Sequence, residues 1–173
     1  AYHLGAYPEK AAQESEALLR AAPNDPYFLE LKGQVLLEGG KPREALAPLR
    51  LAVARAPDKP MIAAMLGHAL VATEDAKNFP EAKQVLRAAI SRDNDNPDAW
   101  YQLGIVYDHD GDPARAALAS AERYNLQGEN KLALASAKMA LNGLKVGNPD
   151  YLRAQDIAMV SETALKKDKK KKK

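Results

Sequence analysis

Apolar residues recur along this chain at helical spacing, and polar turns bounded by proline interrupt them at near-regular intervals. In the stretch WYQLGIVYDHDGDP, residues 100–113, Trp100, Leu103, Gly104 and Tyr107 fall at i, i+3, i+4 and i+7. That is one stripe of a 3.6-residue period. Tyr151, Ala154, Ile157 and Ala158, at i, i+3, i+6 and i+7, also keep helical spacing, which predicts a last helix over about residues 149–165. Three turns punctuate the chain: PNDP at 23–26, PDKP at 57–60 and NDNP at 94–97. Each closes one helix and places proline in the first turn of the next, where its missing N–H forfeits no intrahelical bond. Pro48 lies inside a predicted helix and should kink or distort it.

The last prolines of these turns, Pro26, Pro60 and Pro97, stand 34 and 37 residues apart. Fixed periods in this range mark stacked supersecondary units, and 34 is the length of the tetratricopeptide repeat (TPR), a helical hairpin. Its two helices cross closely at repeat positions 8, 20 and 27, which therefore take small residues. Counting from Pro26 puts Gly33 at 8, Gly40 at 15, Ala45 at 20 and Ala52 at 27. Counting from Pro60 puts Gly67 at 8; after a short insertion, Ala82 and Ala89 fill 20 and 27. Counting from Pro97 puts Gly104 at 8, Gly111 at 15 and Ala116 at 20, but Ser120 and Arg123 at 24 and 27 fit poorly. A fresh count from Ala114 puts Ala121 at 8, Gly128 at 15, Ala133 at 20 and Ala140 at 27. The helix at 113–127 should then close one unit and open the next.

The expected fold is all-α, a TPR-like α-solenoid of antiparallel helix pairs with about nine helices. Residues 1–24 form the second helix of a truncated repeat, with Ala11 at position 20 and Leu18 departing from the pattern at 27. Residues 25–58 are one repeat, and 59–95 a second with the insertion. Residues 96–145 are overlapping TPR-like helices, 146–165 a capping helix and 166–173 a Lys-rich disordered tail. Ala1 opens the chain with neither an initiator Met nor a signal peptide, and inside a repeat, which suits a piece of a longer or processed product.

Composition narrows the chemistry. Hydrophobic residues make up 46% of the chain and aromatics only 6%, which favours helices packed through small side chains. No apolar run is long enough to span a membrane. The absence of cysteine excludes disulfides, thiol nucleophiles and Cys-ligated zinc. The net charge of +2 is uneven: residues 166–173 contribute +6, leaving −4 on the rest. No basic footprint for nucleic acid covers the fold. The tail reads as a solvating terminus, with attraction to anionic headgroups as its functional alternative.

Asp108, Asp110 and Asp112 have the one-three-five spacing that opens a calcium-binding EF-hand loop. That loop also needs glycine at its sixth position and a bidentate Glu at its twelfth, where Pro113 and Ala119 stand. DHDGDP is instead the turn between two helices, with Gly111 for the permissive backbone and Asp112 as N-cap. His3, His68 and His109 have no partner at metal-ligand spacing, and no zinc, phosphate-binding or nucleophile-elbow motif occurs. The expectation is a non-enzyme with no cofactor.

A TPR array offers a concave face built from the first helix of each unit, at positions 2, 5, 9, 12 and 13. Here these are Tyr27, Glu30, Gln34, Leu37 and Glu38; Met61, Ala64, His68, Val71 and Ala72; and Asp98, Tyr101, Ile105, Asp108 and His109. Tyr27, Glu30, Gln34, Met61, His68, Asp98, Tyr101, Ile105 and Asp108 are the candidate groove for a protein or peptide. Packing against a neighbouring domain is the alternative use of the same residues. The carboxylate clamp of chaperone-binding TPR proteins has Glu30, Gln34, Met65, Asp98 and Gln102 at its matching positions. None is basic, so a chaperone tail would be repelled.

Beyond this spacing, NDPYFLELKGQVLLEGGKPREALAPLRLAVARAPDKP, DNPDAWYQLGIVYDHDGDPARAALASAE and NPDYLRAQDI resemble the C-terminal TPR region of bacterial periplasmic zinc metalloproteases. These are gluzincins related to BepA and HtpX. The resemblance covers most of residues 24–157 and implies a periplasmic module that recognises envelope proteins or an adjoining protease domain. Zinc would belong to the catalytic domain, and no ligand of it lies in this chain. A free-standing TPR adaptor or scaffold, in cytoplasm or periplasm, is the second reading.

Overall fold

The computed structural model describes residues 8–171, and every regular element among them is helical. Tyr2 and His3 lie outside the described residues. The chain divides into two compact units, residues 1–93 and 94–173.

The first unit holds α1 (Pro8–Ala21), α2 (Pro26–Glu38), α3 (Pro42–Arg55), α4 (Pro60–Ala72) and α5 (Phe79–Arg92), with a 3₁₀ turn at Ala76–Asn78. Short turns fold each helix back on the one before it, and α2 also packs on α4, so that one hairpin stacks on the next. Helix starts follow local chemistry. Proline opens α2, α3 and α4, and the Asp25 carboxylate accepts hydrogen bonds from the N–H groups of Tyr27 and Phe28. Helix α3 runs through Pro48 without a break, although Glu44 then lacks its i+4 donor. Packing at the small positions is close. Ala45, Ala52 and Ala82 are wholly buried, and Leu49 and Leu86 fill the space that Gly33 and Gly67 leave open. The Arg50 guanidinium donates two hydrogen bonds to the Glu81 carboxylate and ties α3 to α5.

The second unit holds α6 (Pro97–His109), α7 (Pro113–Leu126), α8 (Asn130–Gly143) and α9 (Pro149–Lys171). Helix α7 packs against both α6 and α8 and also touches α9. The core of this unit is mostly alanine: Ala117, Ala121, Ala133, Ala137, Ala140, Ala154 and Ala158, wedged by Leu118, Leu144 and Ile157. Within this core-facing region the buried Glu122 pairs with Arg153, whose guanidinium lies 4.8 Å from the centre of the Trp100 ring. The indole Nε1 of Trp100 donates to the carbonyl of Asn94 at 2.9 Å.

Residues 110–112 form the inter-helix turn, with Asp108 still in α6 and Pro113 already in α7. Gly111 takes φ +71°, and Asp112 accepts from the N–H of Arg115 at 3.0 Å. Among the described residues no group of three or more His, Asp or Glu gathers to hold a metal ion, and no helix is long and apolar enough to cross a membrane. One element departs from expectation. Helix α9 continues past Leu165 to Lys171, through part of the stretch expected to be a disordered tail. Lysine is a good helix former, and an established helix extends at one bond per residue.

Candidate functional site

The residue at repeat position 24 differs between the two units. In the first unit Leu49 and Leu86 occupy it, and both are wholly buried against Gly33 and Gly67. In the second unit Ser120 stands there, and its small side chain leaves space beside Gly104. A cleft of about 400 Å³ opens over α6, α7 and α8. Helix α6 lines it with Tyr101, Gly104, Ile105 and Asp108. Helix α7 adds Pro113, Ala116, Ala117, Ser120 and Arg123, and α8 adds Ser136 and Met139.

The cleft is apolar along its length and charged at its ends. Tyr101 is 46% exposed and Met139 67% exposed, both beyond what a core side chain shows. Tyr101 and Asp108 lie seven residues apart on α6, about 10 Å along the helix at 1.5 Å per residue. Asp108 therefore sits at the end nearest the turn, beside Pro113. Tyr101 marks the other end, where the Arg123 guanidinium lies 4.9 Å from its ring centre and 4.4 Å from that of Tyr124. The Nε of Arg123 is buried without a hydrogen-bond partner.

The sequence-predicted residues separate into two groups. Tyr101, Ile105 and Asp108 come together in the cleft, whereas Asp98 stands exposed in the first turn of α6 outside it. Tyr27, Glu30 and Gln34 share one face of α2, and Met61 and His68 one face of α4, on two helices that pack side by side in the first unit. Tyr27 and Met61 are strongly exposed, while Glu30 and Gln34 are half-buried. Burial pushes the Glu30 carboxyl above the usual range. The Gln34 side-chain amide donates to Glu38 at 2.9 Å. Ala64 and Val71, at groove positions by count, are buried instead, because α4, apolar but for His68, packs on α2, α3 and α5.

Sequence reasoning missed the α7 and α8 wall: Ser120, Arg123, Ser136 and Met139. The signal for two of them was present. Ser120 and Arg123 are the residues that break the repeat pattern at positions 24 and 27, and the break is the cleft.

The tetratricopeptide repeat family matches residues 2–60 and 65–128. No curated protein matches the chain. Among solved structures, MamA is 24% identical with a TM-score of 0.64, over 90% of this chain and 89% of that one. The "41-end" form of MamA from Desulfovibrio magneticus RS-1 is 21% identical with a TM-score of 0.65, over 94% and 88%. YrrB, described as "a TPR protein with an unusual peptide-binding site", is 24% identical with a TM-score of 0.63, over 76% and 66%. At these identities the likeness is one of fold.

Proposed function

Because this chain belongs to the tetratricopeptide repeat family, we propose that it is a non-catalytic adaptor or scaffold that holds a segment of a protein partner in the α6–α7–α8 cleft. The observation that carries this reading is the cleft itself, with exposed Tyr101 and Met139 over Ile105 and small α7 side chains. Aromatic, Met and Arg side chains in a concave surface suit the capture of a peptide segment. The exposed Tyr27 and Met61 of the first unit are a second place for the same partner. No cofactor is required, and the partners are proteins or peptides rather than nucleic acid.

The test is a selection of short random peptides on the full chain, followed by Tyr101→Ala. Binding weakened at least about tenfold, with helical circular dichroism retained, is the expected result. Binders indifferent to Tyr101→Ala would place the ligand elsewhere.

The resemblance of residues 24–157 to periplasmic metalloprotease TPR regions supports a second reading, in which the same cleft serves a zinc protease and envelope substrates. Reading the coding frame upstream of Ala1 separates the two. A signal peptide and an H-E-x-x-H motif there would favour the protease arm, and their absence the adaptor.

A further inference from the structure

We propose that the cleft selects an acidic side chain of the bound segment, seated on Arg123, with an apolar residue beside it. The inference rests on the reading of the cleft as a peptide site and adds the chemistry of its ligand. Arg123 occupies repeat position 27, where the first unit has the buried alanines Ala52 and Ala89. A small residue there would complete the helix crossing; an arginine instead brings a charge into the wall of a cavity. No carboxylate among the described residues pairs with that charge, and its Nε has no acceptor. The rings of Tyr101 and Tyr124, 4.9 and 4.4 Å from the guanidinium carbon, hold the planar group in one orientation. Much of the ordering that a carboxylate would otherwise impose is therefore present before binding.

Asp108 fixes the direction. It repels a carboxylate from the turn end of the cleft, about 10 Å from Tyr101 by helical rise. The acid therefore belongs at the Tyr101–Arg123 end. An extended segment advances about 3.3 Å per residue, so its neighbouring side chains reach Ile105 and Met139.

The experiment uses the full chain and a displayed library of random short peptides. The bound pool should be enriched in Asp or Glu next to an apolar residue. The best binder should lose about tenfold or more when its acid is changed to the amide, as expected for a charge-assisted hydrogen bond. Against Arg123→Gln, acidic and amide peptides should bind equally. The wild-type chain offers a readout that needs no variant: affinity for the acidic peptide should fall with added salt, and affinity for the amide should not. A pool without acidic preference, a preference that survives Arg123→Gln, or salt-independent binding overturns the proposal. Binders that need Tyr101 but ignore charge leave the cleft reading standing and remove only this one. No binders at all remove both.

Discussion

A β-carbon added to Gly33 would stand 2.4 Å from Cγ of Leu49, whereas one added to Gly104 would meet nothing closer than Cβ of Ala119 at 3.5 Å. The same repeat position is thus tight in the first unit and open in the second. Gly33→Ala should cost about 1–3 kcal/mol, the range for overpacking a filled core. Gly104→Ala should be neutral or gain up to about 1 kcal/mol from helix propensity. Urea midpoints of the two variants check this, and equal losses would contradict the difference in packing.

Glu74 stands at repeat position 15 with φ +54°, where Gly40, Gly111 and Gly128 hold φ between +71° and +73°. A residue with a β-carbon is strained in this region. Glu74→Gly should therefore raise stability by about 0.5–1 kcal/mol, despite the greater freedom of glycine in the unfolded chain. A drop in the thermal midpoint would refute this.

Ser120→Leu restores the leucine that the first unit carries at position 24. It should fill the cleft beside Gly104, abolish binding of any peptide that depends on Tyr101, and leave the helical circular dichroism intact. Retained binding would show that the ligand does not enter the cleft.

Burial raises the Glu30 carboxyl in the folded chain. An acid with a raised folded pKa favours the folded state fully only below its unfolded value, about 4.3, and that contribution is lost as pH rises through the folded pKa. Glu30→Gln is neutral throughout. It should raise the thermal midpoint at pH 7 and do so less at pH 4. An equal gain at both would mean that charge burial is not the cause.

Arg153 offsets the burial of Glu122, whose carboxyl burial pushes up and the guanidinium pulls down. Arg153→Ala leaves a buried carboxylate alone and removes the stacking on Trp100. The expected loss is about 1–3 kcal/mol at pH 7. It should shrink towards pH 4, where Glu122 is protonated and the cost of its charge disappears. Glu122→Gln, which buries no charge, should lose less. Chemical denaturation at the two pH values measures both.

The repeat was legible because its signals are local. Proline after an acidic or amide residue at a helix start, glycine where φ must be positive, and small residues at a fixed count all follow from chemistry within a few positions of the chain. The reading of α7 in two registers rests on the same kind of local signal, since Ala116 fits the count from Pro97 and Ala121 the count from Ala114. Which face carries open space was not legible. Tyr101, Ile105 and Asp108 read as groove residues on α6, but the opposing wall depends on the size of Ser120 and on where α8 places Met139.

By itself, then, the sequence determined the helical hairpins, their turns and the exclusion of a recognisable catalytic motif. Those rest on backbone dihedrals and side-chain identities a few residues apart. Only the tertiary structure decided that Arg123 lies between a tyrosine of α6 and one of α7, and that a leucine exchanged for serine becomes a cleft. Both depend on atoms from helices distant in the chain meeting, or failing to meet, across a packed interior. A cavity is a relation among neighbours and has no signature in any one of them.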